Sequence, residues 1–282
     1  MTGRGAYWPI GVLAAVLLAF FLAPLALFLG FSVLTFVQPG QFGPDLTFDN
    51  FARVVADTYT VGVFATTLRV GLSVTALCIV IGYPVAHFIA REVGWTRSLV
   101  LLIVTASLFT NLIVRTYGWI VLLTPRGMLN SALIQAGLID KPLKLMFNET
   151  GVVIGLTQIM LPLFILVAAV SISAIPKTLQ DAAGIAGAGP LRTFWRVTLP
   201  LSMPGIVNGG LLVLVLSVSN FITPDFLGGG RVLMVGSMIY QLVSRTLNYP
   251  FAAAVAVSML AGAALLALSV LLARFALRAV RT

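Results

Sequence analysis

Between Ala6 and Pro44 the chain carries no charged side chain. Crossing the hydrocarbon core of a bilayer takes about 20 helical residues over about 30 Å, so this stretch is long enough to cross once. The pattern recurs. Apolar, charge-poor stretches fall at about 10–37, 68–90, 98–123, 150–175, 204–224 and 249–273. Inside lipid a peptide group has no water to bond, so each stretch is expected to be a helix that satisfies its own backbone. The expected fold is all-α and integral to the membrane: six transmembrane helices in one domain over 1–282. Only 9% of the residues are charged, against roughly 25% in a soluble domain, so lipid is the solvent for most of this chain. The first stretch is far longer than the roughly 7–15 residues of a signal-peptide core and reads as a retained helix.

An even number of spans places both ends on one side. Arg4, Arg91, Arg97, Lys177, Arg192, Arg196, Arg274, Arg278 and Arg281 fall on that side, and Arg53, Arg126, Lys141, Lys144, Arg231 and Arg245 on the other. Basic residues accumulate on the cytoplasmic side. Both termini are therefore expected in the cytoplasm. On the outer side, "LTFDNFARVVADTY" places Phe51, Val54, Val55 and Thr58 at helical spacing with Thr47 as N-cap, the pattern of a short surface helix. A second outer helix is expected within 126–143.

Several function classes fall away. The net charge of +9 is spread between apolar stretches with no basic run interleaved with aromatics, which argues against nucleic acid. Cys78 and His87 lie in apolar runs without Cys, Asp or Glu at ligand spacing, so no metal site is expected. No His-Glu-x-x-His, Gly-x-Ser-x-Gly or phosphate-binding Gly-x-x-x-x-Gly-Lys-Ser/Thr motif occurs. The chain reads as neither an enzyme nor a nucleotide-binding subunit. An ATP-coupled permease, an ion-gradient-driven transporter or channel, and a membrane anchor for a cytoplasmic complex remain.

The stretch from Asp181 to Pro200, "DAAGIAGAGPLRTFWRVTLP", separates these readings. Pro176 breaks the fourth span and suits the first turn of a new helix. Over about 177–187, Leu179, Ala182, Ala183 and Ala186 share one helical face of mostly small side chains. Gly187 can adopt the positive φ that ends a helix. Pro190 is expected to start a second short helix, "PLRTFWRVT", closed by Leu199-Pro200. Small side chains let a backbone approach a partner closely, so the helix at 177–187 fits a protein groove better than a lipid surface, which needs a larger apolar face.

Asp181-Ala182-Ala183, three residues, Gly187, nine residues and Val197-Thr198-Leu199-Pro200 resemble the Glu-Ala-Ala-x3-Gly-x9-Ile-x-Leu-Pro motif of ABC importer permeases. Asp181 stands for the usual Glu and Val197 for the usual Ile. The likeness runs from about Asn50 to Ala273. "TNLIVRTYGW", "GMLNSALIQAGLIDKPLKL" and "FITPDFLGGG" resemble the first permease subunit of the spermidine/putrescine-type subfamily. This resemblance implies a type I importer permease fold in a bacterial inner membrane. It implies a coupling role for Leu179, Asp181, Ala182, Ala183, Ala186, Gly187, Leu199 and Pro200, which dock a separate ATPase. The implied partners are a second permease subunit, two ATP-binding subunits that hold ATP and Mg, and a periplasmic or extracellular substrate-binding protein. The chain itself would hold no cofactor.

A polyamine is cationic, so its path should offer carboxylate, amide or aromatic faces. Polar side chains inside spans usually face the bundle interior or a water-filled cavity. The candidates are Asn111, Tyr117 and Trp119 on the third span and Asn220, Phe221 and Asp225 at the end of the fifth. Asn208 is a further polar residue of the fifth span. The competing roles are helix-to-helix bonding for the asparagines, an interfacial belt for the aromatics, and capping or pairing with Arg231 for Asp225. Arg115 would repel a cation and is expected to pair with a carboxylate or snorkel outward. Gly228-Gly229-Gly230 reads as a turn. An amino-acid-like solute, a phosphonate or iron is the alternative cargo.

Overall fold

A computed structural model describes residues 8–279; Arg4 and Arg281, counted above for orientation, lie outside them. The expected single domain packs as two compact units. One comprises residues up to Gly62 and from Met238 onward, the other Val63–Ser237.

The first unit opens with α1 (Trp8–Ser32), which ends five residues short of the expected span. The chain then forms an antiparallel hairpin, β1 (Leu34–Gln38) and β2 (Gln41–Leu46). Its turn is Pro39-Gly40, where Gly40 has φ +78° and its N–H reaches Leu247 O at 3.1 Å. The hairpin is an exception to the expected all-helical architecture. Val33–Val37 is apolar enough to pass for the end of a span, and only the Pro-Gly turn betrays the reversal. The Asn50 amide donates to Ser32 O and Leu34 O at 3.1 and 2.9 Å, tying the hairpin to α2 (Asp49–Ala56). Phe48, not Thr47, is the N-cap of α2, although the Thr47 hydroxyl does accept from Asp49 N–H. Asp57 then caps α3 (Thr58–Arg91), accepting from Thr60 N–H and Oγ1 at 3.1 and 2.6 Å. The Thr60 hydroxyl holds the Asp57 carboxyl below its ordinary range. This cap's contribution is present above that range and is lost as pH falls below it toward the lowered value of the folded state.

In the second unit α4 (Trp95–Leu108) is bent by 99° against the helical stretch Leu112–Gln135, which α5 (Leu112–Leu123) opens. The expected third span is therefore a broken one. Among the described residues five helices are long and apolar enough to cross a membrane, and the bent pair makes a sixth if counted as one span. Asn111 sits at the break. Its Oδ1 accepts from Ile113 N–H at 2.8 Å and starts α5. Arg115 reaches back: Nε and Nη2 donate to Thr110 O at 3.2 and 3.1 Å, and Nη2 also donates to Ser107 O. The guanidinium thus binds carbonyls at the end of α4 and in the break after it rather than a carboxylate. Replacing Asn111 by Ala should lower unfolding stability by about 1 kcal/mol, while Asp or Ser should keep most of it; thermal unfolding in detergent measures this.

The outer loop holds α6 (Met128–Gln135). Fully buried Asn130 pins it, donating to Thr124 O and Leu143 O and accepting from Leu143 N–H. Then α7 (Glu149–Ser173) begins, with its first-turn Glu149 in a bidentate pair with Arg69 of α3. Next come α8 (Lys177–Ile185), α9 (Pro190–Thr193), a π turn at Phe194–Thr198 and α10 (Leu199–Ser219). After these follow α11 (Ile222–Gly228) and α12 (Val235–Ser244). The expected second short helix does not stop at Leu199-Pro200. Residues 190–219 form one continuous helix, and Pro200, which has no N–H to give, sits in the first turn after a widened π register. In turn the fifth span ends at Ser219 rather than at 224.

α7 and α10 pack along each other and carry the core. Glycines set their spacing. A Cβ at Gly205 would overlap the Ser171 side chain. The fully buried Phe164 ring lies between Gly82 and Gly209, where added Cβ atoms would approach it to 2.6 and 3.0 Å. Backbone approach of this kind is the usual basis of helix association in lipid. In the first unit α13 (Tyr249–Ala279) packs along α1 and under α2. The Arg53 guanidinium lies 4.3 Å from the Phe251 ring centroid there.

Candidate coupling surface and solute pathway

α8 has no buried residue. Its isolation follows from its ends. Pro176 is extended (φ −57°, ψ 133°) and turns the chain out of α7. At the far end Ala186 is the C-cap and Gly187 adopts φ +80°. Ala188 N–H bonds Ala183 O and Gly187 N–H bonds Gly184 O, both at 2.9 Å. These are the two bonds of a Schellman motif, which satisfy carbonyls the helix end leaves open.

One side chain holds α8 against the next segment: Gln180 Nε2 donates to Thr198 Oγ1 at 2.9 Å. Ala183, one turn on, is half-buried on the same side. The four-residue apolar face expected from sequence is therefore split. Ala183 turns inward, while Leu179, Ala182 and Ala186 stay exposed with Asp181. Ile185, which the sequence reading passed over, is 90% exposed. An isoleucine among alanines and glycines on an otherwise polar segment is the signal that could have found it.

The receiving segment is anchored in the core. The Phe194 ring meets Tyr83 and His87 of α3 edge-on, with centroids at 5.9 and 6.3 Å. Tyr83 Oη and Ser202 Oγ share a buried hydrogen bond of 2.8 Å. Arg91 Nη1 donates to Ile175 O at 3.1 Å, bracing the elbow where α7 gives way to α8. Leu199 is half-buried and Pro200 exposed at the start of α10. α8 is thus joined to α10 through Thr198 and to α7 through Pro176, and both helices meet α3, at Ser202–Tyr83 and Phe164–Gly82.

The second set of candidates lies around α11. Asn220 is extended and ends α10; its Oδ1 accepts from Thr223 N–H at 3.0 Å and starts α11. It does for the fifth span what Asn111 does for the third. Tyr117 of α5 meets Phe226 of α11, ring centroids 5.5 Å apart. Trp119 Nε1 donates to Gln158 Oε1 of α7 at 3.4 Å. Asp225 is half-buried in the first turn of α11. It makes no ion pair with Arg231; among the described residues the one ion pair is Arg69–Glu149. Phe221 is exposed, with its carbonyl accepting from Ser237 Oγ. Gly229 (φ +55°) ends α11 in the left-handed conformation, so the glycine run is a turn. Tyr117, Asn220 and Asp225 thus converge on α11 and its helix partner α5. Trp119 faces α7, and Asn111 stays at the α4–α5 break. Phe226 and Gln158, supplied by other elements, had no signal in their local sequence.

The profile of the family described as binding-protein-dependent transport system inner membrane component matches residues 78–281. The chain belongs to this family. The permease is 35% identical over 243 residues to the spermidine/putrescine transport system permease protein PotB of Salmonella typhimurium (strain SL1344), covering 86% of this chain and 84% of that protein. It is 35% identical over 252 residues to the protein of the same name from Haemophilus influenzae, covering 89% and 87%. Among solved structures it resembles a chain of a bacterial alginate ABC transporter in complex with its periplasmic protein, with a TM-score of 0.69, 18% identity, and coverage of 93% and 92%. At that identity the likeness speaks to the fold. The permease therefore has the architecture of ABC importer permeases.

Proposed function

We propose that this permease is the membrane-spanning, non-catalytic subunit of an ATP-driven importer for polyamines such as spermidine and putrescine. It works by alternating access in a bacterial inner membrane, with both termini in the cytoplasm. Its partners are a second permease subunit, two ATP-binding subunits that hold ATP and Mg, and an outer substrate-binding protein. The observation that carries the coupling role is α8: a helix with no buried residue, closed by Gly187 and tethered through Gln180 to the start of a long span. A free-standing helix of this kind gains little from its own chain and is explained by a partner groove. Leu179, Asp181, Ala182 and Ala186 present its outer face, and Ala183, Leu199 and Pro200 support it from behind. The names of the relatives support the cargo. So does a half-buried carboxylate, Asp225, near the ring pair Tyr117–Phe226 and one turn from Phe221.

Reconstitution tests this. Proteoliposomes holding all subunits, binding protein and internal ATP should take up spermidine. Leaving out the ATP-binding subunits or the binding protein should reduce uptake to background, and full uptake by this chain alone without ATP would sink the reading. Within the working complex, Asp225→Asn should lower apparent affinity for the cation roughly tenfold, the worth of a charge-assisted hydrogen bond. Basal ATP hydrolysis should not change.

A further inference from the structure

The helix that runs from Pro190 to Ser219 is 30 residues long. At 1.5 Å per residue it measures about 45 Å, against about 30 Å for the hydrocarbon core. The 21 residues of α10 account for the core. With α10 as the part that crosses the core, residues 190–198 are surplus to it and extend toward the headgroup region. On this surplus Leu191, Arg192, Trp195 and Arg196 recur at one-turn spacing and line a shallow depression of about 540 Å³ with Gly189 and Pro190.

The depression is two-natured. Pro190, Leu191 and Trp195 form an apolar floor, with Leu191 72% and Trp195 59% exposed. Arg192 and Arg196 frame it with two guanidinium groups. Neither belongs to an ion pair among the described residues. No acid occurs between Asp181 and Asp225, and Asp181, on the α8 helix that packs against this segment, pairs with neither of them. Two uncompensated guanidinium groups beside an apolar floor, at headgroup depth, match one kind of occupant: a phosphate joined to an acyl glycerol.

We infer that this depression binds the headgroup of an anionic phospholipid of the cytoplasmic leaflet, an assignment that rests on the orientation given above. The guanidinium groups take the phosphate, and Trp195 and Leu191 cover the glycerol and the first methylenes. A lipid held there braces the first turns of the span. Those turns carry Thr198, the acceptor that holds Gln180 of α8. Anionic lipid is thereby a cofactor of coupling: it stiffens the segment through which α8 moves α10. A protein surface is the weaker match, since the depression runs along the flank of a helix entering the membrane, whereas the solvent-facing helix of this region is α8.

The test uses the purified full complex. Native mass spectrometry during titration with phosphatidylglycerol should show retained lipid. Arg192→Gln and Arg196→Gln should each weaken retention about fivefold, the worth of one basic side chain near an anionic surface, and the double Lys variant should restore it. In liposomes of phosphatidylcholine alone, binding-protein-stimulated ATP hydrolysis should fall several-fold, and added phosphatidylglycerol should restore it for the wild type but not for the double Gln variant. Unchanged retention in the double Gln variant would overturn the proposal. Equal retention of phosphatidylcholine would do the same, as would loss of the ATP-binding subunits from the double Gln complex in lipid-free detergent, which would mark a protein contact. Lipid retention is read on the complex itself. Failure of ATP-driven uptake in every lipid mixture would instead count against the transport reading alone.

Discussion

Replacing Asp181-Ala182 by Lys-Lys should abolish ATP-driven uptake and release the ATP-binding subunits, while the permease itself stays folded. Both side chains are exposed on α8 and neither takes part in packing of this chain. A groove shaped for alanine must be forced open to admit lysine, at about 1–3 kcal/mol for each overpacked site. Reversal of the Asp181 charge adds to this. The overpacked site at Ala182 and the reversed charge at Asp181 together weaken docking by roughly a hundredfold. Co-purification of the ATP-binding subunits and the permease's thermal unfolding should separate the two effects. Gly187→Val gives a second route to the same end. It meets open space, yet a β-branched residue resists φ +80°, so α8 would lose its closing motif. Lys-Lys variants that keep their ATPase partners and their uptake would disprove the assigned role of α8.

The largest structural effect is expected at Gly205. Gly205→Leu should abolish recovery of folded permease, and Gly205→Ala should lower it severely, because an added Cβ overlaps Ser171 on the facing helix. α7 and α10 form the central contact of their unit. Separating them loses dispersion contacts along both helices and around Phe164. Moving the methylene across the interface should reverse the loss: Ser171→Gly combined with Gly205→Ala restores the space and should restore recovery. Gly184→Ala in α8 is the control. It meets nothing within 4 Å and should be neutral or stabilising by up to about 1 kcal/mol. Size-exclusion profiles in detergent report all four variants.

Lipid makes the long helices legible, since an uncharged run such as 150–173 satisfies its backbone in lipid by forming a helix. What hydropathy does not carry is direction. Residues 98–123 look like one span because a window average registers apolar content and not the 99° turn at Thr110-Asn111. The signals were present as capping chemistry, an asparagine followed four residues later by an arginine free to reach backward. The same holds for Pro39-Gly40. Pro200 misleads in the opposite sense. Proline usually closes a helix it follows, but a widened π turn lets the helix run through it. The helix at Lys177–Ile185 and its closing Gly187 were legible because spacing along the chain fixes them. The surroundings of Asp225 were not, because Tyr117–Phe226 and Trp119–Gln158 join residues far apart in sequence.

The bend between α4 and α5 bears on how the chain is made. With 14 and 12 residues, the two halves measure about 21 and 18 Å, each too short to cross the bilayer by itself. Both halves pack on α7, which begins at Glu149 and is synthesised after them. Neither half can cross alone, so the two enter lipid as one hydrophobic unit; their corner is capped locally by Asn111 and Arg115 and gains its packing surface when α7 follows. Maturation of this region is tied to the order of synthesis, and a truncation before Glu149 leaves it without the surface on which to fold.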